Sequence, residues 1–267
     1  MGLRTASCFV VLAVVLTLIG RASAEPVSVR YLEGVTHGFL SLKTMEGKLL
    51  GSGDLIQTVR GNRVNSRLVL RYQDGSVSDE TTVFTQQNEF RVLTDRLIQK
   101  GPSFKTPLEA TIDRSRGLVT VKYTNEKGEP KVEEEKLELP DDLANGILMP
   151  VTKNISKGRV PASVAVIAIT PKPMLVKVRF TNAGLEPFSF AGTRRQATHF
   201  VLHVDIGGLK GLAAKLFGRQ PPDSHIWIAD SDAPAFIRAA TPIATGDPLS
   251  VIELSGPIYR GGNPPEN

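Results

Sequence analysis

The stretch Asn62–Tyr72, NRVNSRLVLRY, decides how this chain is read. Val64, Leu68, Leu70 and Tyr72 fall at even positions, and Arg63, Arg67 and Arg71 at odd ones. On extended backbone successive side chains point to opposite faces, so the apolar set shares one side and the guanidinium groups the other. A helix would scatter both sets around its axis. One dry and one wet face is the pattern of an antiparallel sheet rather than of a sheet buried between helices.

The same alternation recurs downstream, where Met174, Val176, Val178 and Phe180 are opposed by Lys177 and Arg179. Turn signals punctuate the runs: Arg60-Gly61-Asn62, Gln73-Asp74-Gly75, Arg114 to Gly117 and Asn125 to Gly128. Asp-Gly and Asn-Gly type pairs favour tight hairpins because their backbone reaches positive φ cheaply. Between these breaks the chain offers candidate strands near 35–46, 49–59, 62–73, 76–86, 88–99, 107–113, 117–124, 131–139, 160–170, 173–182, 196–206, 224–230 and 249–255. So many short strands on short turns imply a mainly β fold, an antiparallel curved sheet or open half-barrel.

One or two short helices are expected to cap it. Pro140–Asn154 opens with Pro-Asp-Asp, a proline tolerated in a first turn beside acids at the positive helix end, and Gly146 and Pro150 keep it short. In 208–217, Leu209, Leu212, Leu216 and Phe217 recur with helical spacing, and Gly218 is placed to end the run. Ser163–Ile169 (SVAVIAI) is apolar on both faces, as in a strand covered on two sides. The helical interruption near 140–155 separates two β-rich halves without a shared repeat, and a single β domain over 25–260 is expected, with 261–267 (GGNPPEN) a flexible tail.

Residues 1–24 read as a signal peptide: Arg4, an apolar run from Phe9 to Ile19, and Ala22-Ser23-Ala24 as a small-x-small cleavage site. The run is shorter than the ~20 residues a spanning helix needs, so no membrane span is expected after cleavage. The expected location is the periplasm or the medium. Cys8 is the sole cysteine and leaves with the signal, so the remaining chain depends on core burial rather than on disulfides. Removing Arg4 and Arg21 leaves 30 basic against 27 acidic residues, with no basic cluster that would argue for nucleic acid.

Catalytic patterns are missing. There is no Gly-x-Ser-x-Gly elbow, no Ser-x-x-Lys pair and no mature thiol, and the expectation is a non-catalytic protein without a cofactor. The histidines are the metal candidates to weigh. His199, His203 and Asp205 share one face of a strand. At the extended rise His199 and His203 stand roughly 13 Å apart, too far to hold one ion together. His203 and Asp205, about 7 Å apart, would need a third donor from a neighbouring strand, and His225 is the obvious one. The simpler reading is a wet strand face with no metal. Ile206 to Gly211 lacks both the dinucleotide and the P-loop spacing and reads as a tight turn. Glu133-Glu134-Glu135 reads as a solvated edge.

Trp227, the only tryptophan, is expected to anchor the core. It lies in a W-[IL]-x-D strand formed by Trp227, Ile228 and Asp230, followed by a turn, Pro234 and a strand carrying Arg238. This hairpin resembles the C-terminal hairpin of the LolA/LolB lipoprotein carriers and related exported bacterial proteins. The resemblance implies an open half-barrel whose helices cap an apolar cavity for acyl chains. Leu209, Leu212, Leu216 and Phe217 would then be lid residues, and the protein an exported binding module for an apolar or lipid-like ligand of the cell envelope. Two other functions stay open: a structural or interaction protein of the envelope with a filled core, and, more remotely, a metal-dependent enzyme using His203, Asp205 and His225.

Overall fold

The computed structural model describes residues 27–125, 127–155, 163–190, 193–205 and 220–256. Eight strands come first: β1 (Thr36–Thr44), β2 (Leu49–Arg60), β3 (Arg63–Tyr72), β4 (Val77–Gln86), β5 (Phe90–Lys100), β6 (Leu108–Asp113), β7 (Leu118–Thr124) and β8 (Pro130–Lys136). A helix, α1 (Leu148–Asn154), precedes six more: β9 (Val164–Ala168), β10 (Met174–Phe190), β11 (Thr193–Asp205), β12 (Ser224–Ala229), β13 (Phe236–Pro242) and β14 (Leu249–Ser255). All fourteen belong to one antiparallel, curved, unclosed sheet, ordered β8 through β1, then β14 through β9. Each half is a meander, and the halves join where β1 pairs β14, with Leu42 opposite Ile252. The expected open half-barrel is therefore the fold.

Alternation is observed where the sequence places it. Val64, Leu70 and Tyr72 are buried while Arg63 and Arg67 are exposed, and Val176, Val178 and Phe180 are buried opposite exposed Lys177 and Arg179. The outward charges pair across strands: Arg67 with Asp79 through two bonds of 2.9 and 2.6 Å, Arg96 with Glu109, and Lys43 with Glu253. Exposed pairs of this kind contribute little each, roughly 0–1 kcal/mol. The inward apolar rows carry the stability.

The two ends of the sheet, β8 and β9, are consecutive in sequence, so their connection must cross the mouth of the curve. It does so as a strap. Leu137 donates its amide to Gly117, and Arg114 reaches the carbonyls of Leu139 and Pro140 and the Asp141 carboxylate. Leu143 then bridges Ala165 of β9 in parallel, with Ala144 donating to the Ala165 carbonyl at 2.8 Å. The Asn145 side chain completes the attachment, accepting from the Ile167 amide at 2.7 Å and donating to its carbonyl at 3.0 Å. The strap thereby satisfies backbone groups of an edge strand that would otherwise invite another chain.

The expected helix over 140–154 is corrected to Leu148–Asn154. Residues 142–145 spend their hydrogen bonds on β9, and Gly146 takes a φ of +66° that ends the strap and turns the chain inward. From there Leu143, Ile147, Val151 and Ile155 fill the space between the facing halves of the sheet, against Phe84, Ile112 and Val119 on one side and Val178, Phe200 and Ile226 on the other. The helix is thus a filling of the concave face, not a lid on its rim. The start of the described chain is pinned to it: the Asn154 carboxamide accepts from the amides of Arg30 and Tyr31, each at 2.7 Å.

Two further corrections concern strands. β10 runs to Phe190, well past the expected 182, because a bulge between Asn182 and Gly184 lets it continue beside β11. β13 was missing from the strands read by alternation; only the hairpin resemblance implied it, through Arg238. Its sequence, FIRAATP, has too weak a two-residue rhythm to be seen alone. Signal residues 1–24, the helical candidate with Leu209, Leu212, Leu216 and Phe217, and the tail 261–267 lie outside the described residues. Among those described, no helix is long and apolar enough to cross a membrane.

Candidate functional site

The concave face holds an apolar hollow beside the filled core. A cavity of about 290 Å³ is walled by Val166 and Ile169 of the β9 region, Val176 of β10, Leu97 of β5, and Ile243 and Ala244 in the turn after β13. It owes its existence to sheet curvature: β5 and β10 belong to opposite halves, and the β13–β14 turn spans the gap between them. Gln99 fixes that turn by donating to the Ile243 carbonyl at 2.7 Å, and the Thr245 hydroxyl donates to Ile169 at 2.9 Å. The lining is mainly apolar, with Gln99, Ser224 and Thr241 as polar points. Ser224 and Thr241 already satisfy each other at 2.9 Å. A mostly apolar hollow with few placed polar groups is the usual form of a small-molecule site, and its volume lies near the lower end of the range, about 300 Å³.

Next to this wall is a pair of inward acids. Ser78, Glu80, Thr82 and Phe84 of β4 point into the concave side, and Glu80 stands opposite Leu97. Asp95, 3% exposed, lies opposite Thr82, whose hydroxyl donates to its carboxylate at 2.6 Å. Glu80 is half-buried and its carboxyl has no hydrogen-bond partner among the described residues. Burial pushes both carboxyls above their ordinary range; the charge of Asp95 raises Glu80 further, and the Thr82 hydroxyl partly offsets the rise at Asp95. Gly146 of the strap closes over the pair: a Cβ built there would lie 1.8 Å from the Thr82 hydroxyl and 2.9 Å from Asp95.

The convex face of β10–β13 holds the histidines. β12 pairs β11 with Val201 opposite His225, so His225 sits diagonally between His199 and His203. It joins His199, Nδ1 to Nε2 at 2.9 Å, while His203 meets Asp223 at 2.7 Å. Asp205 lies 3.5 Å from Arg179. The proposed set of His203, Asp205 and His225 is thus divided among three partners. Among the described residues no group of three or more potential ligands surrounds a metal position.

What forms instead is a relay and a stack. His199 Nδ1 is 2.8 Å from Glu186, whose other oxygen accepts from the Trp227 indole at 2.8 Å. With the carboxylate as acceptor, neutral His199 donates through Nδ1, and its Nε2 then accepts from His225. The Trp227 hydrogen bond is the main cause holding Glu186 below its usual range, while burial holds His225 below its own. Trp227 stacks on His199 with ring centres 4.4 Å apart, and the Arg238 guanidinium lies over the Trp227 ring, 3.9 Å from its centre. Trp227 is buried at 9% exposure, yet it belongs to this convex layer with Ala197 and Ala240 rather than to the main core.

Sequence reasoning missed Glu80, Asp95, Glu186 and Asp223. Glu80 had a readable signal, an even position in a strand whose Phe84 faces inward. Asp95 had none: a bulge at Val83/Phe84 reverses the parity of β5 relative to Val92.

The chain is therefore a mainly β protein built on one curved antiparallel sheet with a half-open, mainly apolar hollow. No protein-family model matches it. No curated protein matches it either. Among solved structures it is similar to a crystal structure described as a beta-barrel-like protein of domain of unknown function DUF1849 from Brucella abortus, at 11% identity and a TM-score of 0.45, over 84% of this chain and 100% of that one.

Proposed function

We propose that this protein is an exported binding module whose concave face takes an apolar or lipid-like ligand in the cavity between β5, β9–β10 and the β13–β14 turn. The observation that carries the reading is the cavity of about 290 Å³ itself, set beside the core that α1 and the strap help to fill. Its walls offer burial to an alkyl or ring system, at roughly 25 cal/mol per Å² of apolar surface removed from water. The signal-like residues 1–24 support export in this reading, and the resemblance of the Trp227–Arg238 hairpin to lipoprotein carriers points the same way.

The test uses delipidated protein and an uncharged polarity-sensitive naphthylamine dye. Saturable one-to-one uptake is expected, with strong loss in Ala168→Trp, whose indole projects into the space that Ala168 lines. Absence of saturable uptake, together with no co-purified lipid by native mass spectrometry, overturns the reading. Such a result favours a structural role, consistent with how much of the interior α1 already fills.

A further inference from the structure

We infer that the ligand of this cavity is uncharged and carries a hydroxyl or N–H that donates to the side-chain carbonyl of Gln99, its apolar body lying against Val166, Val176 and Ile243. The inference rests on the binding reading above and adds the chemistry of the ligand.

Gln99 is the most deeply buried polar side chain of the cavity wall. It stands on β5 between Ser78 of β4 and Leu108 of β6, lines the cavity and is 3% exposed. Its amide orientation is fixed, because Nε2 donates to the Ile243 carbonyl at 2.7 Å and to the Ser78 hydroxyl at 3.5 Å. An oxygen in place of that nitrogen would face another acceptor. Oε1 is therefore the group left over, and it receives no hydrogen bond from any described residue. A buried acceptor without a donor is costly, and the cost is removed when a ligand supplies one.

The other polar side chains of the wall make no such demand. The hydroxyls of Ser224 and Thr241 bond each other at 2.9 Å, and that of Thr245 donates to the Ile169 carbonyl. Among the described residues that line the cavity none is acidic, basic or histidine. A carboxylate head would bring acceptors alone, with no cation there to meet its charge. An ammonium head reaches Oε1 only by losing its hydration without a countercharge. A neutral hydroxyl or N–H meets the acceptor at neither cost. The volume, about 290 Å³ against the ~150 Å³ that admits a benzene ring, suits a body of roughly eight to ten carbons.

The experiment is displacement of the naphthylamine dye at neutral pH by octanol and by heptyl methyl ether, an isomer of octanol without a donor, with octanoate and octylammonium as the charged arms. In wild type octanol is expected to act at a concentration about three- to tenfold below the ether, the worth of one neutral hydrogen bond, and both ions are expected to be weaker than octanol. Gln99→Met keeps the length of the side chain and removes the acceptor. It is expected to bring octanol to the level of the ether, with the ether itself little changed. A second readout uses wild type alone: the side-chain amide resonances of Gln99 should shift with octanol and stay in place with the ether. Ether equal to or better than octanol in wild type overturns the inference, as does a preference that survives Gln99→Met, an ion that binds more tightly than octanol, or amide resonances that move equally with both. If Gln99→Met does not fold or no longer takes the ether, the wild-type amide resonances decide. If neither the dye nor any of the four compounds binds, the cavity reading itself fails; if octanol and the ether bind equally, that reading stands and only the donor assignment falls.

Discussion

Replacing Gly146 with alanine should be among the most damaging single-methyl changes in this protein. Three costs add at one position. The backbone φ of +66° lies in the left-handed region, where an L side chain costs roughly 1–2 kcal/mol. The new Cβ would stand 1.8 Å from the Thr82 hydroxyl, so the strap or β4 must move, an overpacking cost of about 1–3 kcal/mol. Moving Thr82 weakens its bond to buried Asp95, which for a charged acceptor is worth about 1.5–3 kcal/mol. The costs overlap, and a total on the order of 4 kcal/mol is expected. At about 2–4 °C per kcal/mol for a chain of this size, Tm should fall by roughly 8–16 °C. The control is Gly61→Ala, with a φ of +60° and open space around the new methyl; it should carry the backbone cost alone, about 1 kcal/mol. Urea unfolding and thermal circular dichroism of both variants decide the matter. If Gly146→Ala is no worse than Gly61→Ala, the strap does not close over Thr82 and Asp95, and the placing of the acid pair is wrong.

Other outcomes follow from the same geometry. Glu80 has a folded-state pKa raised above its unfolded value, so its contribution to stability is fully present in acid and is lost as pH rises through the raised pKa. Glu80→Gln should therefore stabilise the unliganded protein at pH 8 by on the order of 1–3 kcal/mol and change little at pH 4.5, read from paired urea titrations. His225 works in the opposite sense. Its folded pKa lies below the ordinary 6.5, so its contribution is complete above that value and declines as pH falls from there toward the folded pKa. The difference in unfolding free energy between wild type and His225→Gln should shrink between pH 7.5 and 5.5; a difference independent of pH would contradict the relay geometry. Trp227→Phe keeps most of the apolar area but removes the indole donor to Glu186 and thins the stack between His199 and Arg238. A loss of about 1–3 kcal/mol by thermal unfolding is expected.

The fold was legible because alternation is a local signal. NRVNSRLVLRY states its two faces without help from the rest of the chain, and Asp-Gly and Asn-Gly turns mark where each strand ends. Elements that depend on distant partners were not legible. Residues 142–145 look like a helix start, yet they bond to β9, some twenty residues on, and no local propensity reports that. β13 is alanine-rich and takes its place from pairing with β12 and β14. The site was harder still. Alternation correctly turned Arg67 and Arg71 outward, but a bulge between β4 and β5 reverses the parity of β5 and brings Asp95 inward without any sequence mark. The histidines share a face, with His199 bonded to His225 and His203 to Asp223. Which of the two His225 would meet depended on Glu186, which lies on β10 beyond the expected end of that strand.

The claim most in need of a direct test is that apolar ligands enter the concave cavity rather than adhere to an outer patch. Methyl-labelled isoleucine and valine spectra, recorded while octanol or the naphthylamine dye is titrated in, address this residue by residue. The account predicts saturable shifts at Ile169, Val176 and Ile243, which line the cavity, with Ile56 and Ile237 of the convex face unmoved. Shifts confined to Ile56 and Ile237, or none at any of the five, would contradict it.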